Sequence, residues 1–189
     1  MLEPSPRRRA GIRAVATLIG ALTVALPVAA QQHAHTHGRM ALDAAIDAQT
    51  ITLSIESPLD GLLGFERAPR SDAERRRVAD MVARLKAADG LFQPDPAAGC
   101  TLSKVELDSA VLGLGEAQAH GHGAADGEHA DIDVTVVFTC AKATEARFID
   151  VKLFDAFKRV RVVDAQVASP QGQFKRSLKP GASRLSLAR

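Results

Sequence analysis

The sequence predicts an α+β fold: a mainly antiparallel β-sheet with one long helix, a short second helix and a His-rich hairpin loop. Three observations predict it. Period-two alternation of apolar and polar residues recurs in many short stretches, whereas only one segment sustains a helical period. A Gly/Ala/His-rich stretch with neither period separates two of the alternating runs. Apolar residues make up 46% of the 189 residues, enough for a core; with 4% aromatics and neither Trp nor Tyr, that core is built of Leu, Val and Ala with a few Phe.

The first thirty residues stand apart. Residues 1–13 are basic, 14–26 form an uncharged apolar run, and Pro27-Val28-Ala29-Ala30 follows. A positive head, a short apolar segment and small residues before a cut are the parts of a secretory signal peptide. The apolar run is shorter than the ~20 residues of a membrane span, so cleavage after about Ala30 is expected, leaving no span. The mature chain then starts at Gln31 in an oxidising compartment outside the cytoplasm. The formal net charge is +2, but residues 1–30 hold Arg7, Arg8, Arg9, Arg13 and Glu3. The remainder keeps 20 of the 24 basic and 21 of the 22 acidic side chains, a net charge of −1. A near-neutral mature chain gives no electrostatic reason to bind nucleic acid or a membrane surface.

Residues 31–38 are a His-rich mature N-terminus, and 39–189 read as a single α+β domain with a His-rich loop at 114–130. Met40 and Leu42, then Ile51, Leu53 and Ile55, alternate with polar neighbours as two strands joined at Asp47-Ala48-Gln49. Residues 61–69 read as a loop with Gly61, Gly64 and Pro69 as breakers. Ser71 and Glu74 form a capping box, and Val78, Met81, Val82 and Leu85 recur at helical spacing, so a helix is expected over 72–88, stopped by Gly90. Residues 101–113 read as extended, with a bulge expected near Ser103-Lys104 because Leu102 and Val105 differ in parity. Ile132, Val134, Val136, Phe138 and Cys140 lie on one strand face. Further alternation at 148–151, 160–167, 174–178 and 185–187 completes the sheet, with a helical turn around 153–158. Lys158-Arg159-Val160-Arg161 reads as the outer face of a strand.

Cys100 and Cys140 are the only cysteines. In an exported chain an isolated pair reads as a disulfide rather than a metal site or catalytic thiol. Closing this loop would contribute roughly 4 kcal/mol in the chain-entropy model. The bonded pair would make 100–140 a hairpin whose tip is the stretch 114–130.

All six histidines fall in two places. His33, His35 and His37 lie at the mature N-terminus; His120, His122 and His129 lie at the hairpin tip, with Asp126, Glu128 and Asp131 among them. None falls in an expected core element. Neutral imidazole is a good ligand for zinc, copper and nickel, and His-x-His in an extended segment puts both rings on one side. Three or four N or O ligands complete a tetrahedral zinc site, and the neighbouring carboxylates can ligate or orient the rings. The bland alternative is a solvated tail and loop that bind metal weakly, since such tracts are a compositional signal. Two clusters in one exported chain weigh toward specific metal handling, with Zn²⁺ the expected ion. Cu²⁺ or Ni²⁺ is the alternative, because Gln31-Gln32-His33 with a free amine makes a square-planar nest. A different class of reading is an envelope interaction domain whose histidines sense pH near an unperturbed pKa of ~6.5. The chain has no His-Glu-x-x-His, Gly-x-Ser-x-Gly or phosphate-binding Gly-Lys motif, and Gly113-Leu114-Gly115 breaks off before a third glycine, so no enzyme is expected. Glu66 reads as a loop carboxylate.

Several segments together resemble the ZrgA family of zinc-regulated periplasmic proteins. They are His35-Thr36-His37-Gly38 before the Met40-Ala41-Leu42 strand, Leu53-Ser54-Ile55-Glu56-Ser57-Pro58, Gly64-Phe65-Glu66 with Ala68-Pro69, and Ala98-Gly99-Cys100. The His-rich insertion before the strand ending in Cys140, Leu153-Phe154-Asp155-Ala156-Phe157, Gly172-Gln173 and Arg184-Leu185-Ser186-Leu187 complete the pattern. The resemblance implies periplasmic location, zinc as ligand and a part in zinc uptake, with a zinc-uptake transporter or its binding protein as partner. Arg67 stands where the family pattern often has a histidine, which argues against a ligand role there. The insertion carries only three histidines, which implies low capacity.

Overall fold

Alternation of buried and exposed residues along each strand fixes which face of the sheet is the core. The structure is a computed structural model that describes residues 37–115 and 130–188, all within one compact unit, Ala34–Arg189. Strand β1 (Arg39–Ile46) buries Met40, Leu42, Ala44 and Ile46 and exposes the residues between them. It pairs antiparallel with β2 (Thr50–Pro58), and the turn between them closes through the Asp47 N–H donating to the Thr50 carbonyl at 2.9 Å. Short α1 (Leu59–Leu63) follows directly, so helix stands where the sequence suggested a loop over 61–69. The apolar residues Leu59 and Leu63 are buried, and burial of this pair holds a turn of helix despite Gly61.

Helix α2 (Asp72–Lys86) starts where the capping box placed it. Ser71 Oγ accepts from the Glu74 N–H at 3.2 Å, and the Glu74 carboxylate reaches back to the Arg70 N–H at 2.6 Å. The helix ends at Lys86, before the expected 88, because Ala88–Gly90 tightens into a 3-10 turn. Strand β3 (Phe92–Pro94) is followed by a 3-10 turn and β4 (Cys100–Asp108). The extended stretch stops at Asp108 rather than 113, since Ala110–Leu112 coils into another 3-10 turn. Strand β5 (Asp131–Cys140), β6 (Phe148–Val151), α3 (Leu153–Ala156), β7 (Val162–Ser169), β8 (Gly172–Leu178) and β9 (Arg184–Ser186) complete the chain. Residues 158–161, expected on a strand, instead form the connection from α3 to β7, with Val160 buried and both Lys158 and Arg159 exposed.

The strands form a six-stranded sheet ordered β4-β5-β2-β1-β7-β8 and a three-stranded sheet ordered β3-β6-β9. All pairs are antiparallel except β1 with β7. The α+β class with a mainly antiparallel sheet is therefore what the chain adopts; the expected His-rich hairpin tip lies outside the described residues. The inner face of the large sheet shares one core with Met81 and Leu85 of α2, Phe92, Ile149, Val151 and Leu185 of the small sheet, and Leu153 of α3. Each fully buried Leu or Ile in it contributes about 1.5–3 kcal/mol. The outer face carries charged and small polar residues.

Cys100 and Cys140 face each other across β4 and β5 and are bonded, with an S–S distance of 2.09 Å. The register slips between Leu102 and Lys104, where the parity change required a bulge. Among the described residues no helix is long and apolar enough to cross a membrane.

Candidate metal site

The strand registers gather one end of the large sheet. Ala41 faces Glu56, Glu56 faces Asp133, and Asp133 faces Asp108, so one transverse row crosses β1, β2, β5 and β4. Pro58 faces Asp131 one step further out, and the β1–β2 register brings Arg39 to that same level. With strands about 4.8 Å apart, the entry into β1 lies roughly 10 Å from the entry into β5. The two segments that carry the histidines are thus rooted at the same end of the same sheet.

The first root is held tightly. Gly38 has φ 75°, and its carbonyl accepts from the N–H groups of Arg161 at 2.8 Å and Val162 at 3.1 Å. A Cβ at Gly38 would come within 2.9 Å of the Arg159 carbonyl, so only glycine fits both the dihedral and the space. His37, immediately before it, is therefore anchored by its neighbour. Its Nδ1 lies 3.1 Å from Asp60 Oδ2 and 3.8 Å from Glu66 Oε1. The imidazole side chain is 75% exposed, while Asp60 and Glu66 are 24% and 20% exposed. Helix α1 supplies Asp60, and the bend after it supplies Glu66.

The chemistry of that contact is specific. When Nδ1–H donates to a carboxylate, the ring's orientation and tautomer are fixed and Nε2 keeps its lone pair. A carboxylate behind a histidine is the arrangement that raises imidazole basicity toward a metal. Asp60 is placed where a carboxylate can orient the His37 ring. No three His, Cys, Asp or Glu side chains among the described residues converge as a ready coordination set. The donors fit zinc by type, nitrogen with oxygen behind it.

The second root is clamped by hydrogen bonds. The Ser109 hydroxyl, in a side chain only 3% exposed, donates to the Asp131 carbonyl at 2.7 Å. The Leu59 N–H of α1 donates to the Ala130 carbonyl at 2.9 Å, tying this root to the helix that carries Asp60. Gly115, with φ 88°, packs so close to Asp108 that a Cβ there would sit 2.1 Å from a carboxylate oxygen. Loss of solvent, and then the facing carboxylates Glu56, Asp108 and Asp131, hold the Asp133 carboxyl above the usual carboxylate range. This end of the outer face is therefore markedly negative, a field that attracts cations.

Of the sequence-predicted ligands, the structure describes His37 and Asp131, and puts both at this end. His33, His35, His120, His122, His129, Asp126 and Glu128 lie outside the described residues. Sequence reasoning missed Asp60, which fell between the second strand and the expected loop, and gave Glu66, within that loop, no part in the site. It also missed the row of Glu56, Asp108 and Asp133. Each alternates outward on its strand, so the parity was legible, but strand order was needed to bring them together.

Arg67 is accounted for by structure. Its guanidinium donates to both Glu74 oxygens, at 2.8 and 3.0 Å, and lies 5.1 Å from the Phe65 ring centroid. The bond from Arg67, then the Arg70 N–H, draws the Glu74 carboxyl down to about 2. Arg67 thus fastens the loop to the start of α2.

Comparison with curated proteins finds no match. The model of the ZrgA family zinc uptake protein matches residues 34–187, a span that takes in His37, both cysteines and every described strand. The chain belongs to the ZrgA family of zinc uptake proteins.

Proposed function

We propose that this chain is an exported, non-enzymatic accessory protein that captures Zn²⁺ in the periplasm and supports its delivery to an uptake system. Family membership makes zinc uptake the setting. The observation that carries the finer reading is the Asp60-oriented imidazole of His37, standing at the sheet end from which the His120, His122 and His129 segment is also rooted. In sequence His129 lies two residues before Asp131, as His37 lies two residues before Arg39. The proposed ligands are His33, His35, His37, His120, His122 and His129. Asp126, Glu128 and Asp131 serve as further oxygen donors or ring-orienting groups. The acidic row raises the local concentration of cations, while neutral imidazoles provide selectivity for a borderline-soft ion. The paired cysteines leave metal binding to nitrogen and oxygen, because a bonded sulfur is no thiolate.

Titration calorimetry of the mature chain with Zn²⁺ at neutral and at mildly acidic pH tests the reading. Stoichiometric binding that weakens as acid protonates the imidazoles is expected. A pH-driven conformational change with no heat of zinc binding would replace capture by the histidine pH-sensor reading.

A further inference from the structure

Beside α1, a groove of about 320 Å³ runs between α1, α2 and the α3–β7 connection. Four cations line it, Arg77, Arg84, Lys158 and Arg159, against one carboxylate, Asp80. Its floor is apolar: Leu63, Met81 and Phe157 are 6%, 3% and 6% exposed. Arg84 donates to the Ala156 carbonyl at 3.1 Å, and Lys158 stands 3.7 Å from Asp155. Neither Arg77 nor Arg159 has a carboxylate partner among the described residues. A mature chain with net charge −1 therefore concentrates positive charge in one apolar-floored groove.

We infer that this groove docks a carboxylate-rich segment of a partner protein, with an apolar side chain of that segment seated on the Met81–Phe157 floor. Charge complementarity selects the occupant: four cations around apolar surface suit acidic side chains flanking a hydrophobic anchor, and oppose a basic or phosphate-free neutral partner. Position gives the docking its use. Gly61, Leu62 and Leu63 line the groove immediately after Asp60, and the Arg159 carbonyl abuts Gly38, next to His37. A segment bound there lies beside the proposed zinc end, with its carboxylates within reach of a leaving cation. The inference deepens the zinc-capture reading and names the chemistry of the partner that takes the metal on.

The test uses fluorescence anisotropy of the mature protein with a fluorescein-labelled glutamate-rich peptide carrying one leucine and one phenylalanine. The same peptide with glutamine for every glutamate serves as comparison. The wild type is expected to bind the acidic peptide and not the glutamine one, with affinity falling as salt rises. The Arg77→Glu/Lys158→Glu variant should bind at least about tenfold more weakly. Lys175→Glu/Lys179→Glu, an equal charge change on and just after β8, should leave binding unaltered. No binding by the wild type, or equal loss in both variants, overturns the inference. So does peptide binding that emerges only when residues 116–129 are removed, because the groove then belongs to this chain's own loop. Zinc calorimetry on the same variants separates the two ideas. Groove variants that keep zinc but lose peptide support the docking site, whereas peptide binding by a wild type that takes no zinc leaves docking intact and removes the capture reading.

Discussion

The two ends of the six-stranded sheet are made of the same strands and do different work. At one end Cys100 and Cys140 are bonded across β4 and β5, and the Cys140 N–H donates to the Gln49 carbonyl at 2.8 Å. Beyond it the buried Asp95 carboxylate accepts from Arg147 Nε at 2.8 Å and from the Ala97 N–H at 3.1 Å. Those bonds, that from Arg147 first, hold its carboxyl below the usual range. Here the disulfide and the buried Asp95 carboxylate are both paired. At the other end Glu56, Asp108 and Asp133 face one another outward, and His37 presents a ring that is three-quarters exposed. Like charges set side by side cost stability. A row of facing carboxylates attracts cations.

Perturbing each end should therefore move a different observable. The largest stability effect is expected from Cys100→Ala/Cys140→Ala, up to about 4 kcal/mol by loop closure. Zinc stoichiometry of the folded variant should not change, as chemical denaturation and calorimetry on one sample would show. A parallel loss of zinc would mean that the ends are coupled.

Asp60→Asn should do the reverse. It removes the charge behind His37 and should weaken zinc about 10–100-fold, or roughly 1.4–2.7 kcal/mol. The melting temperature without metal should stay near the wild-type value. Unchanged affinity in a competitive chelator titration would exclude Asp60 as the orienting group.

The smallest effect concerns Arg67 and Glu74. The folded carboxyl of Glu74 titrates at about 2 against an ordinary value of 4.5. A depressed carboxylate contributes stability above its unfolded pKa and loses it as pH falls through the folded one. The Arg67→Gln variant should melt below wild type at neutral pH. The gap should narrow between pH 4.5 and about 2, and zinc binding should be unaffected. A gap that stays constant across that window removes the ion pair as its cause.

The fold was legible where periodicity and chemistry agreed. Ser71 and Glu74 marked the start of α2, and the parity change from Leu102 to Val105 required the bulge that the register shows. The cysteine pair fixed one hairpin before any strand order was known. Legibility failed where tertiary burial overrode local signals. Gly61 and Gly64 suggested a loop, yet burial of Leu59 and Leu63 makes Leu59–Leu63 a helix. Lys158 to Arg161 alternate like a strand, yet Val160 is drawn inward before β7 begins. For the site, histidine composition suggested a ligand type, but Asp60 is 23 residues from His37 and carries no local mark. Only the pairing of β2 with both β1 and β5 brings the starts of β1 and β5, the strands that follow the histidine-bearing segments, to one end.

The most direct measurement is zinc content after exhaustive dialysis of the mature chain. The wild type is set against a variant with His33, His35, His37, His120, His122 and His129 all changed to alanine. The wild type should retain zinc in stoichiometric amount, and the variant should retain none while melting at the same temperature without metal. Equal zinc in the two samples would contradict capture by these imidazoles.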